Sequence, residues 1–233
     1  MRNSVRVAAA GLSAIVTGAA LTGMLDSREA SIPTLIIGGS AAKGWHDQSG
    51  QGYLVRALAQ YGSVAGVHFL VQNQAIPGAR VVNARIASNY PVWMRSSRGG
   101  LVVIAWGFLN DLRLGTRTGA MLKVIHREIA LAVATNHTVL LVSPPATTPT
   151  FTFDAASETR LWHQVSMEAE AFHSQRVFVA DVLGPMKRYV RSHHQSYRRY
   201  MDGTWDPNTA GHRLAARILS HELTIFWSGL GTR

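Results

Sequence analysis

Thr34-Leu35-Ile36-Ile37-Gly38-Gly39-Ser40 is the stretch on which the fold turns. Its aliphatic residues run without a charge and stop at two glycines, as a strand buried on both faces does where it meets a turn. Similar β-branched and aliphatic runs recur at 67–71, 101–105, 139–142 and 177–180. Amphipathic stretches lie between them at 52–61, 116–134 and 154–173, and a last one covers 208–227. In the second, Met121, Val124, Ile125, Ile129 and Val133 recur at helical spacing, with Lys123 and Arg127 off that face. In the last, Leu214, Ile218 and Leu223 fall on the expected buried side. Strands alternating with helices of this length predict an α/β fold, a three-layer α/β/α sandwich around a parallel five-stranded sheet.

The chain has 233 residues, enough for one large domain with a substantial core. Hydrophobic residues make up 47% and charged ones 15%, which excludes a disordered chain. There is no cysteine, so disulfide scaffolds, thiolate metal sites and a thiol nucleophile are excluded. Lys+Arg number 23 against 13 Asp+Glu, a net +10, and only Lys43, Lys123 and Lys187 are lysines. An arginine-dominated charge suits acidic partners. Arg2 and Arg6 precede an uncharged run from Val7 to Leu25 that ends at Asp26. That pattern predicts a signal peptide, with Gly18-Ala19-Ala20 as a cleavage region, or an N-terminal membrane anchor, over residues 1–30. The remaining 31–233 form the domain, on the extracytoplasmic side of the membrane.

In open parallel sheets ligands sit beyond the carboxyl ends of the strands, so the residues after each run carry the chemistry. After the first comes Gly38-Gly39-Ser40-Ala41-Ala42-Lys43-Gly44-Trp45. Lys43 precedes Gly44 instead of following it, which excludes a phosphate-binding P-loop, and no Gly-x-Gly-x-x-Gly supports a dinucleotide. A serine on a glycine-bounded strand-to-helix turn exposes its hydroxyl beside a helix N-terminus, as a nucleophile whose attack creates an oxyanion requires. The same residue would equally serve as a helix cap. After the second run stands Asn73-Gln74-Ala75-Ile76-Pro77-Gly78-Ala79, where Gly after Pro can present a bare backbone N–H. After the third stands Gly107-Phe108-Leu109-Asn110-Asp111, and after the fourth the proline-rich 143–149. Asp202-Gly203-Thr204-Trp205-Asp206-Pro207-Asn208-Thr209-Ala210-Gly211-His212 precedes the last helix.

In this order the blocks resemble the SGNH (GDSL-like) hydrolase family over nearly all of 33–227. The resemblance implies a flavodoxin-like sheet, Ser40 as nucleophile, and an oxyanion hole from the Ser40 and Gly78 N–H groups with the Asn110 side chain. It places Asp202 as the acidic member of the last block. It implies no cofactor and a small acyl ester of carbohydrate or lipid as substrate. Gly39 stands where the family has Asp, and one extra residue separates Gly107 from Asn110. The family's His-Pro-Asn reads Asp206-Pro207-Asn208 here, and counting three from Asp202 reaches Trp205, so its general base is missing from its expected place.

Three residues could replace that base: His212 near the block, His46 six residues after Ser40, or Asp206 as a carboxylate. His46, Trp205 and Asp206 are the expected residues of the substrate mouth. Two functions follow: a serine ester hydrolase acting through acyl-Ser40, or a catalytically degenerate protein of the same fold that binds carbohydrate or anionic polymer. The basic stretch with Lys187, Arg188, Arg191, His193, His194, Arg198 and Arg199 reads as a solvated face able to attract an anionic polymer or lipid head group. Adjacent histidines do not share a helical face and no carboxylates accompany them, so no metal site is expected. No motif supports specific nucleic-acid binding.

Overall fold

A computed structural model of the chain describes residues 30–97, 99–152, 155–203 and 205–228. The leader expected over 1–30 therefore lies, apart from Ala30, outside the described residues, as do Asp154 and Thr204. Among the described residues no helix is long and apolar enough to cross a membrane.

All five apolar runs form strands: β1 (Ala30–Gly38), β2 (Val67–Asn73), β3 (Leu101–Ala105), β4 (Thr138–Val142) and β5 (Val177–Ala180). They make one parallel sheet in the order β2-β1-β3-β4-β5. Ile36, Ile37, Val102, Val103, Ile104, Leu140 and Val142 are each 0% exposed, because helices cover both faces and neither side chain of the strand alternation meets water. The helices are α1 (Ser40–Lys43), α2 (Gly52–Ala65), α3 (Ala84–Ser96), α4 (Leu109–Arg113), α5 (Thr118–Ala134), α6 (Thr148–Phe151), α7 (Ala155–Glu170), α8 (Leu183–Ser192) and α9 (Thr209–Ser228). In one layer α2 packs on α9; in the other α5 lies between α3 and α7.

Two helices depart from the sequence reading. α3 contains Pro91, which interrupts the helical signal, yet Ile86, Tyr90 and Met94 recur every four residues as its buried stripe. α8 occupies part of the basic stretch, with Leu183, Met186 and Val190 buried beneath the charges. In α9, Leu214 and Leu223 are buried as expected, while Ile218 is only partly covered.

The strand order places the functional end. From β1 the chain goes to β2 on one side and then crosses to β3 on the other, so the connections leaving β1 and β3 diverge and open a crevice. Gly38 pairs with Ala105 there, and a Cβ on Gly38 would lie 2.1 Å from the Ala105 carbonyl oxygen. Only glycine lets the two strand ends approach so closely.

Candidate active site

Ser40 occupies the first helical position of α1, and the capping position falls on Gly39. Its hydroxyl is therefore not used as a cap and instead donates to Asp206 Oδ1 at 2.6 Å. The loop before α9 is built to aim that carboxylate. Met201 and Pro207 form an antiparallel bridge, and the Asp202 N–H donates to the Asp206 carbonyl at 3.0 Å. The Asn208 amide donates to the Arg199 and Met201 carbonyls at 3.0 and 2.9 Å and accepts from the Gly211 N–H at 3.0 Å. Asn208 thus caps α9 and fixes the loop with one side chain.

Burial raises the Asp206 pKa above the ordinary aspartate value, and the neighbouring Asp202 raises it further. The Ser40 hydrogen bond and the nearby His46 pull the other way without reversing the shift. Asp202 Oδ2 lies 3.1 Å from His46 Nε2. One ligand-type atom from each of His46, Asp202 and Asp206 falls within 4.8 Å of the others, so this group of three could hold a cation, which the sequence reading did not anticipate. The pairwise bonds Ser40–Asp206 and His46–Asp202 account for the arrangement from the protein's own groups.

His46 reaches the site because its backbone is held at a φ of 61°. The next residue, Asp47, anchors the loop: Arg56 grips its carboxylate through Nε at 3.0 Å and Nη2 at 3.2 Å, and the Gly52 N–H donates at 3.0 Å. Burial opposes ionisation of Asp47, but the bonds from Arg56, Ser49 and Gly52 outweigh it and hold the carboxyl well below its usual range.

In the turn after β2, Gly78 has a φ of 73°, a conformation open to glycine at no steric cost. Its turn is held at both ends. Asn73 donates to the Ala42 carbonyl at 2.9 Å and accepts from the Ala75 N–H at 3.0 Å. Buried Asp111 accepts from the Val81 N–H at 2.9 Å. The extra residue between Gly107 and Asn110 is absorbed by Phe108, whose buried backbone has a φ of 57°. Ser40, Gly78 and Asn110 consequently line the same cleft, of about 350 Å³, together with Trp45, Arg113, Trp205 and Asp206. The proline-rich turn contributes Pro144, Pro145 and Thr147 to its wall.

His212 is elsewhere, which corrects its reading as a replacement base. It is 0% exposed, its Nε2–H donates to the Trp45 carbonyl at 2.9 Å, and its ring stacks 6.3 Å from Tyr53. Its Nδ1 is buried with no hydrogen-bond partner among the described residues, and burial lowers its pKa, so it is a neutral packing residue that fastens α9 to the α1–α2 loop. Asp202 touches His46 and the Asp206 backbone. His193 caps the end of α8, bonded to the Tyr189 carbonyl at 3.0 Å, and is not part of the cleft wall. Two residues without an assigned role in the sequence reading support the site: Asp47 and Asp111. Their short polar side chains beside turn glycines were the available signal.

No family model and no curated protein matches the sequence. Solved structures do match by shape. The acetylxylan esterase Axe2 from Geobacillus stearothermophilus superimposes with a TM-score of 0.66 at 13% identity, over 88% of this chain and 97% of that one. A member of the lipolytic G-D-S-L family from Veillonella parvula gives 0.62 at 19% identity, over 84% and 99%. LAE5, an α/β hydrolase enzyme from the metagenome of Lake Arreo, gives 0.66 at 19%, over 88% and 99%. Described catalytic mutants of Axe2 replace a serine, an aspartate and a histidine. The chain has the SGNH (GDSL-like) hydrolase fold, with an aspartate against its serine.

Proposed function

We propose that the protein is a serine ester hydrolase that acts on small acyl esters of carbohydrate or lipid, with Asp206 as the general base. The observation that carries this reading is the 2.6 Å bond from the Ser40 hydroxyl to Asp206 Oδ1, at the mouth of a cleft shared with Gly78 and Asn110. Ser40 Oγ attacks the acyl carbon while its proton passes to Asp206. The negative charge gathering on the carbonyl oxygen is met by the Ser40 and Gly78 N–H groups and the Asn110 amide. Collapse breaks the ester C–O bond, and the leaving alcohol takes the proton from Asp206. Water then gives a proton to Asp206, attacks acyl-Ser40 and releases the acid, and Ser40 regains its proton.

A carboxylate is a weaker base than the imidazole of a Ser-His-Asp triad, and the raised pKa of Asp206 narrows that difference. His46 and Asp202 stand behind it, and the Asp202 charge contributes to the shift. The experiment is hydrolysis of short-chain aryl acetates by residues 31–233 and by its Ser40→Ala variant. The wild type should turn over and the variant should lose most of the rate; equal rates would remove Ser40 as nucleophile.

A second reading is favoured by one observation, the absence of an imidazole from the Ser40 hydrogen bond: a protein of this fold that binds carbohydrate or anionic polymer without turnover. Binding of oligosaccharide with no hydrolysis of any ester would support it. The leader pattern of 1–30 supports an extracytoplasmic location in either case, tested by protease accessibility of the domain on intact cells.

A further inference from the structure

We propose that Arg113 selects ester substrates bearing a negative charge, so that the natural substrate is an acyl ester of an acidic carbohydrate. This deepens the esterase reading and rests on it. Arg113 is the last residue of α4 and stands three positions after Asn110, a spacing that sets both side chains on one helix face. Both line the cleft. The short helix that offers the oxyanion amide thus also offers a guanidinium to the same bound molecule.

The Arg113 guanidinium carbon lies 5.3 Å over the centre of the Trp205 ring. Stacking on an indole holds the planar fork in place and leaves its edge N–H groups free to grip a carboxylate or similar anion through two bonds. Among the described residues no carboxylate forms an ion pair with it. Asp206, also in the cleft wall, carries the opposite charge. An anionic substrate is repelled from that carboxylate and drawn to Arg113, and this orients it with the acyl group toward Ser40. Trp45, 49% exposed at the cleft, supplies an apolar ring for the sugar face. The net charge of +10 favours approach of such a substrate.

The test compares an O-acetylated glucuronoside with its uronamide, which differ only in the charge of one group. The wild type should prefer the acid by roughly ten- to thirtyfold in kcat/KM, expressed in KM and shrinking with added salt. Arg113→Gln should bring the ratio close to one, and Arg113→Lys should restore part of it. A wild type indifferent to the charge, or a ratio that survives in Arg113→Gln, would overturn the proposal. A variant that loses kcat equally on both sugars would place Arg113 on the oxyanion instead and would also overturn it. If neither ester nor any aryl acetate is hydrolysed, the esterase reading fails. Calorimetric binding of the two sugars to Ser40→Ala and to Ser40→Ala/Arg113→Gln then decides the charge selection separately.

Discussion

Replacing Glu128 with glutamine should stabilise the protein far more at alkaline than at acidic pH. Glu128 projects from α5 into the core at 5% exposure and accepts a 3.0 Å bond from the Trp106 indole at the end of β3. Burial pushes its pKa from 4.5 up to about 8, against the smaller opposing effect of the Trp106 bond. The unfolded chain releases this proton near 4.5 and the native fold keeps it to about 8, so the fold loses stability as pH rises through that window. At about 1.4 kcal/mol per pKa unit, the loss is roughly 1 kcal/mol at pH 5 and on the order of 4–5 kcal/mol at pH 9. Glutamine cannot ionise, and its carbonyl oxygen can accept the same indole bond, so the variant escapes the loss. Thermal melts at the two pH values measure it: with about 2–4 °C per kcal/mol for a domain of this size, the variant should gain a few degrees at pH 5 and about 10–15 °C at pH 9. An equal offset at both values would refute the argument, since it would mean that Glu128 ionises no differently in the native and unfolded chains.

Three further outcomes follow from the site. Asp206→His puts Nδ1 the same number of bonds from the backbone as Oδ1 and exchanges a carboxylate for a stronger base; kcat on aryl acetates should rise about tenfold or more, with the acid limb of the pH profile moving toward 6–7. A rate below that of the wild type would argue against a base at this position. His212→Ala should lower stability by about 2–4 kcal/mol in denaturant titration, through its lost packing and the orphaned Trp45 carbonyl, while the pH profile of kcat keeps its shape; a changed profile with intact stability would return His212 to the chemistry. Asp111→Ala frees the Val81 N–H and loosens the turn that presents Gly78, so kcat should fall about tenfold and stability by about 1–3 kcal/mol. Unchanged kcat would show that the turn holds its shape without this bond.

The architecture was legible wherever burial was two-sided, because a strand covered on both faces leaves an uninterrupted apolar run, as in β1 and β3. Helices whose signal is mixed with other demands were not. Pro91 masks α3 although Ile86, Tyr90 and Met94 keep its buried stripe, and the charges of α8 obscure Leu183, Met186 and Val190. The cleft residues Ser40, Gly78 and Asn110 were legible because each follows a strand end, and parallel strands deliver those ends to one rim. The partner of Ser40 was narrowed only to three residues, since counting along a loop does not reveal where its side chains point. The Met201–Pro207 bridge and the Asn208 bonds decide that Asp206 turns toward Ser40. His212, a few residues on, is turned instead into the helix interface. His46 reaches Asp202 through a left-handed backbone held by Asp47 and Arg56, a constraint that counting along the sequence does not expose.

The most direct test of the central claim, that Ser40 is acylated with Asp206 taking its proton, is the rate of acetyl transfer to Ser40 from an aryl acetate. It is followed by rapid quenching and mass mapping of the peptides in the wild type and in Asp206→Asn. An acetyl group should appear on Ser40 in both proteins, forming roughly 10²–10⁴ times more slowly in the variant. Acetylation of another residue, or equal rates of Ser40 acetylation in the two proteins, would contradict it.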